Sequence, residues 1–165
     1  MQESLDMIAN TANIIMSLMF CLYMGFGNRN QSTYLTLTSV VAFNLFMVLI
    51  EPSLLRIEDK HLLRFAWYNL FAICDIFLVL MMYHSHRRLK IPYGTAAKHT
   101  YICYIALAFL QVGSFLERSY QTYFIFDQIY AYAIPVLNLT IMFSLTAIML
   151  KELLFAQPVT YSKHK

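Results

Sequence analysis

Residues 71–90 read FAICDIFLVLMMYHSHRRLK, an apolar run that contains one carboxylate and ends in histidines and basic residues. With the apolar residues before it, this run supplies the roughly 20 residues of helix that cross a hydrocarbon core about 30 Å thick. The basic part follows directly, as is typical where a membrane-spanning helix leaves the bilayer on its cytoplasmic side. The stretch therefore predicts an all-α integral membrane protein.

The composition of the whole chain agrees with a membrane protein. Of its 165 residues, 59% are hydrophobic and 13% are charged, outside the usual range for soluble globular domains. This length allows one compact bundle, so we treat residues 1–165 as a single transmembrane domain. The net charge of +3 is small and the basic residues cluster at helix ends, which indicates no nucleic-acid binding.

Five apolar windows in the sequence are long enough to span a bilayer. They cover approximately residues 7–26, 33–54, 63–83, 99–118 and 128–150. The first window contains Asn10, Thr11, Asn13 and Ser17, and a helix of this composition can instead lie along the membrane surface. The prediction is a compact bundle of about five transmembrane helices, and the alternative is four spans with an interfacial N-terminal helix.

The positions of Lys and Arg predict the orientation in the membrane. The third connection, between the third and fourth windows, holds the densest basic run, so the positive-inside rule places it in the cytoplasm. With five spans, the N-terminus is then outside and the C-terminus is cytoplasmic, and eight of the 12 Lys and Arg residues lie inside. We predict that the protein is integral to a cytoplasmic (inner) membrane.

Each predicted span carries one polar side chain near the middle of the bilayer. These residues are Ser17, Asn44, Asp75, Gln111 and Asn138. An ionisable residue at this depth costs about 2.5–3.5 kcal/mol on insertion scales, so Asp75 needs a partner or a function. In one interpretation, hydrogen bonds across this polar layer hold the helices together. In the other, Asp75 binds a proton or cation and Glu51 is a gate near the outer end.

A second candidate site is a basic cytoplasmic face around the third connection. It comprises His84, His86, Arg87, Arg88, Lys90, Lys98 and His99. Such a cluster attracts acidic phospholipids, or an acidic partner protein, by about 1 kcal/mol per basic residue near the membrane surface. His84 and His99 are also conceivable as axial ligands of a haem, because a short connection makes their helices neighbours.

The sequence contains none of the motifs that we searched for as signs of catalysis. Nucleophile-elbow, zinc-protease and phosphate-loop patterns are missing, so we predict no catalytic residue, metal or cofactor. We expect a non-enzymatic, homo-oligomeric membrane subunit that senses or anchors at the bilayer and presents its basic face to a cytoplasmic partner protein or acidic lipid. The alternatives are an oligomeric ion or proton channel or transporter that uses Asp75, and a haem-binding redox subunit.

The predicted orientation can be measured with fused reporters. We expect a reporter that is active only in the cytoplasm to work after Lys165 and within the third connection, and to be silent before Met1 and near Asp59. Activity before Met1, with the other results unchanged, would instead show four spans and an interfacial first segment.

Overall fold

The computed structural model describes residues 2–25, 30–120 and 125–155, which form five α-helices. They are α1 (Gln2–Gly25), α2 (Gln31–Leu54), α3 (Lys60–Arg88), α4 (Thr95–Tyr120) and α5 (Ile125–Leu154). No strand occurs among these residues, so the all-α prediction is confirmed for them. The last four helices begin a few residues before the predicted windows, and in α2 and α3 the first turn is capped by a side chain.

Four of the helical segments are long and apolar enough to cross a membrane. They are Gln31–Leu54, Lys60–Arg88, Thr95–Tyr120 and Gln128–Leu154. In α1 the stretch Ile14–Gly25 is apolar but shorter than a membrane span. Four potential spans are thus present by length and composition, and the fifth span stays a prediction.

Side-chain caps fix where α2 and α3 begin. The Asn30 side chain accepts a hydrogen bond from the Ser32 amide at 3.0 Å. The Asp59 side chain accepts one from the His61 amide at 2.8 Å. These acceptors satisfy backbone donors that have no partner in the first turn of a helix. The connection before α2 therefore ends at Asn30, and the connection before α3 ends at Asp59.

The second helix is the centre of the bundle. It contacts the four other helices, and the backbones of α3 and α4, of α4 and α5, and of α1 and α5 also pack closely. The outer helices α3, α4, α5 and α1 thus follow one another around α2. The fully buried side chains between these helices include Leu37 and Val40 of α2, Leu78 of α3 and Leu145 of α5.

The last turns of α1, α3 and α5 lie at the same end of the bundle as the first turns of α2 and α4. Hydrogen bonds join these turns, for example from Tyr23 in α1 to Glu152 in α5 (2.6 Å) and between Ser32 in α2 and His86 in α3 (2.9 Å). We call this end the basic end, because it carries the basic residues of the third connection. The opposite end carries the connection between α2 and α3.

Close packing of α4 on α5 depends on Gly113. A Cβ atom at this position would lie 2.7 Å from Cδ1 of Phe126 and 2.8 Å from its Cε1. These separations are shorter than van der Waals contact, so the aromatic ring fits only because position 113 has no side chain. At Gly25, the last residue of α1, a Cβ atom would meet nothing within 4 Å.

Replacing Gly113 by Ala should destabilise the bundle. Overpacking costs about 1–3 kcal/mol, more than the roughly 0.5–1 kcal/mol gained when Ala replaces Gly inside a helix. We expect a lower thermal unfolding midpoint in detergent, measured by circular dichroism, and partial recovery when Phe126→Leu is added. Gly25→Ala is the control and should not lower the midpoint. Equal midpoints for the two Ala variants would contradict this packing.

Candidate functional site

The structure places the five residues of the predicted polar layer in different surroundings. Asp75 and Gln111 are buried, with 4% and 3% of their surface exposed. Ser17 and Asn44 are half-buried, whereas the side chain of Asn138 is exposed. A layer that crosses the bundle needs all five side chains in its interior. Asn138 lies on the outside of the single chain, so the continuous layer stays a prediction.

Asp75 lies in the middle of α3, a helix that packs against α2 and α4. Leu78 and Met82 follow it along α3 and are fully buried. Tyr104 of α4 is close enough to interact electrostatically with the Asp75 carboxyl group. The carboxyl group therefore lies among apolar side chains and a phenol.

Gln111 belongs to a network nearer the opposite end. The Tyr130 hydroxyl of α5 donates a hydrogen bond to Gln111 Oε1 at 2.9 Å. The ring of Tyr130 packs edge-on against Tyr68 of α3, with 5.2 Å between the centroids. The Arg118 guanidinium lies over the Tyr68 ring, 5.5 Å from its centroid. These contacts join α3, α4 and α5, which gives Gln111 a structural role.

Six of the seven residues predicted for the basic face have exposed side chains at the basic end. They are His84, Arg87, Arg88, Lys90, Lys98 and His99, and from here the basic face means these six. The seventh, His86, differs from the prediction, because only 1% of its surface is exposed. Residues 84 and 86 are two positions apart and so lie on different sides of α3. The side with His86 faces the bundle.

His86 and Ser32 fix the third connection to the bundle. The Nδ1 atom of His86 lies 2.8 Å from the Met82 carbonyl oxygen, which only accepts, so Nδ1 carries the proton. In the neutral ring, Nε2 then accepts a hydrogen bond from the Ser32 hydroxyl at 2.9 Å. The Ser32 oxygen accepts another from the Gly94 amide at 2.9 Å. This network links α2, α3 and the third connection.

A second network at the basic end centres on Glu152 of α5. Its carboxylate accepts hydrogen bonds from the hydroxyls of Tyr23 in α1 (2.6 Å) and Thr33 in α2 (2.7 Å). The Tyr23 oxygen also accepts a bond from the Asn30 amide at 3.2 Å. Tyr23 and Thr33 are buried, with at most 1% exposure. These bonds close the basic end between α1, α2 and α5.

Sequence reasoning did not identify these two networks. Glu152 follows the last apolar window directly beside Lys151, a pattern typical of a solvated helix end. Its hydrogen-bond partners Thr33 and Tyr23 are 119 and 129 positions away in the sequence. Spacing within one helix gives no information about such distant pairs. The sequence feature that could have pointed to the Glu152 network is that Thr33 lies on the same face of α2 as the polar residue Asn44, eleven residues later.

The histidine pair and the predicted gate are exposed. His84 and His99, considered above as haem ligands, both have exposed side chains at the basic end. In the part of the chain that the structure describes, no group of three or more His, Cys, Asp or Glu is placed to hold a metal ion. Glu51 is exposed near the end of α2. The groups of most interest for function are thus the basic face, Asp75 and Glu51.

Comparison with known proteins leaves the function to be inferred from these residues. No protein-family model, curated protein or solved structure matches the chain. The two networks of the basic end and the placement of each polar side chain are therefore the basis for the functional proposals.

Proposed function

We propose that the chain is a non-enzymatic, homo-oligomeric membrane protein that senses or anchors at the bilayer and presents its basic face to an acidic surface. That surface belongs to a cytoplasmic partner protein or to acidic phospholipids. The observation that carries the proposal is the double contact of Ser32. Its hydroxyl group bonds to His86 near the end of α3 and to the Gly94 amide just before α4. The basic residues between them thus belong to a connection held at both sides.

A connection that is ordered before binding favours association with an acidic surface. Ordering a loop on binding costs about 0.5–1.5 kcal/mol for each immobilised side chain. Here the backbone is already bonded, from the Leu89 amide to the Ser85 carbonyl (3.0 Å) and from the Ile91 amide to the His86 carbonyl (2.9 Å). Each basic side chain then adds about 1 kcal/mol of attraction near an anionic surface.

We further propose that all five helices span a cytoplasmic (inner) membrane, with the N-terminus outside and the basic end in the cytoplasm. The distribution of Lys and Arg supports this orientation. The exposed side chain of Lys151, at the end of α5, adds another cation at the basic end. The burial of Tyr23 and its bond to Glu152 support a first helix that belongs to the bundle rather than lying along the membrane surface.

Neutralising the basic face should weaken the binding of anionic lipid. We expect Arg87→Gln, Arg88→Gln and Lys90→Gln together to reduce the affinity for phosphatidylglycerol by roughly one to two orders of magnitude, since each charge contributes about 1 kcal/mol. Native mass spectrometry of the detergent-solubilised protein during a lipid titration measures this affinity. The difference should shrink as salt is raised, and phosphatidylcholine binding should stay the same.

The matched control neutralises three cations at the opposite end, by Arg56→Gln, Lys60→Gln and Arg64→Gln. This variant should bind phosphatidylglycerol like the unchanged protein. Because the basic-face substitutions also reduce the positive-inside bias, the membrane orientation of each variant is measured with the fused reporters. Equal lipid binding by all three proteins would exclude acidic lipid as the ligand. If the association with a partner protein also stays the same in the substituted protein and at higher salt, the basic face has no part in the mechanism.

A second candidate function rests on Asp75. We propose as the alternative that an oligomer conducts protons or ions past this residue. The observation in its favour is a carboxyl group only 4% exposed in the middle of α3, where an ionisable side chain is costly unless it has a partner or a role. Conduction toward the basic end requires movement of Leu78 and Met82, because both are fully buried apolar side chains.

The substitution Asp75→Asn distinguishes packing from conduction. An Asn side chain has the same size and keeps hydrogen-bonding capacity, so a packing role predicts assembly and thermal stability close to those of the unchanged protein. In that case Asp75→Leu should disturb assembly. A conducting role predicts that Asp75→Asn abolishes proton or ion flux into liposomes while assembly is retained. Flux lost in the folded Asn variant would contradict our preferred function, and no flux in the unchanged protein would contradict the channel.

A further inference from the structure

The third helix ends in a turn that favours glycine at one position. The Ile91 amide donates a hydrogen bond to the His86 carbonyl (2.9 Å), and the Lys90 amide donates one to the Arg87 carbonyl (3.3 Å). These two bonds form a Schellman motif, in which the residue after the helix cap adopts the left-handed conformation. That residue is Lys90, whose φ is 55°. In the part of the chain that the structure describes, no other residue except glycine is known to have a positive φ.

A lysine at this position costs conformational energy that glycine would avoid. In the left-handed region the Cβ atom crowds the following carbonyl oxygen, so residues with long side chains rarely adopt it. Residues held in such a conformation are concentrated at sites that bind a ligand. The Lys90 side chain is exposed, so packing inside the bundle does not explain the lysine. The strain therefore points to a use of its ammonium group outside the bundle.

Arg87 places a second cation next to Lys90. The two residues are joined by the backbone bond of the turn, and both side chains are exposed. Arg87 also ends an exposed stripe on one face of α3, whose residues are spaced by four, three and four positions: Ile76, Leu80, Tyr83 and Arg87. The stripe thus runs from apolar side chains to a guanidinium group.

Two tyrosine rings lie beside these cations. The Tyr83 ring stacks on Tyr93 of the third connection, with 6.3 Å between the centroids and 14° between the planes. The Tyr93 ring also stacks on the buried His86, with 5.0 Å between the centroids. Tyr83 and Tyr93 are 47% and 37% exposed, and tyrosine favours the depth at which hydrocarbon meets the lipid headgroups. We call Tyr83, Arg87, Lys90 and Tyr93 the headgroup site.

We propose that the headgroup site binds one anionic phospholipid, with the phosphate at Arg87 and Lys90 and an acyl chain along the exposed stripe of α3. Guanidinium and ammonium groups donate charge-assisted hydrogen bonds to phosphate oxygens. The inference rests on the proposed function, because it names phospholipid as the acidic surface and gives it a defined place on the basic face.

The apolar part of the stripe favours a lipid over other occupants. α3 is long and apolar enough to cross a membrane, and Ile76 and Leu80 lie within its apolar run. A cytoplasmic protein reaches the cations but not these side chains, whereas a phospholipid reaches both. In a symmetric contact between two copies with the same membrane orientation, Arg87 and Lys90 of each chain would face like charges.

The substitution Lys90→Gly tests the site, because it removes the ammonium group and suits the left-handed backbone. We expect the thermal unfolding midpoint in detergent to rise, since glycine is the favoured residue at this position. The affinity of the full-length protein for the first bound dioleoyl phosphatidylglycerol, measured by native mass spectrometry, should nevertheless fall roughly tenfold or more. Lys90→Arg keeps the charge and should keep the affinity.

Lys98→Gln is the matched control, because it removes one exposed cation at the same end but outside the headgroup site. It should lower the affinity no more than about fivefold, the effect of one charge near the surface. Equal losses in Lys90→Gly and Lys98→Gln would overturn the site and leave the proposed function standing on diffuse attraction. An unchanged protein that binds phosphatidylglycerol no better than phosphatidylcholine would overturn the site and exclude acidic lipid as the ligand of the basic face.

Two soluble anions separate the phospholipid from other sources of negative charge. Glycerol phosphate carries the phosphate without acyl chains, and polyglutamate stands for an acidic protein. Neither should displace the bound phosphatidylglycerol, because neither contacts the apolar stripe. Displacement by glycerol phosphate would overturn the proposal in favour of a free phosphate. Displacement by polyglutamate that is lost in Lys90→Gly would overturn it in favour of an acidic protein.

Discussion

The closure of the basic end depends on the Glu152 carboxylate of α5, a hydrogen-bond acceptor that two other helices share. It accepts hydrogen bonds from Tyr23 of α1 and Thr33 of α2. The hydroxyl groups of Tyr23 and Thr33 are buried, and a buried hydroxyl group left without a hydrogen-bond acceptor costs about 1–3 kcal/mol. By accepting from both, Glu152 keeps α1, α2 and α5 together at the basic end.

The first turn of α2 joins this contact to the basic face. Ser32 and Thr33 are neighbours in sequence, so their side chains point about 100° apart around the helix. Thr33 bonds to Glu152, while Ser32 bonds to His86 and the Gly94 amide. One capped turn thereby positions both the closure of the bundle and the connection that carries the densest group of exposed cations. Movement of this turn relative to α3 would disturb the basic face.

The helices were predictable from the sequence because apolar windows of about 20 residues have few other interpretations at this composition. The exposed basic residues were predictable as well, since they follow one another in a single connection. The side on which an isolated polar residue lies was not. Asp75 and Asn138 both interrupt apolar runs, yet one is buried and the other exposed, because rotation of a helix about its axis depends on its neighbours. For the same reason, His86 could not be separated from His84 by residue type.

Three acidic side chains along the bundle meet the cost of a charge in a membrane in three ways. Glu152 is bonded to two hydroxyl groups, Asp75 is buried near Tyr104, and Glu51 is exposed near the end of α2. α2 carries Glu51 near one end and the first-turn serine and threonine at the other. A helix is stiff over this length, so a displacement of α2 at its Glu51 end would tilt the helix about its contact with Glu152. Because that contact adjoins the serine that fixes the third connection, such a tilt would also disturb the basic face.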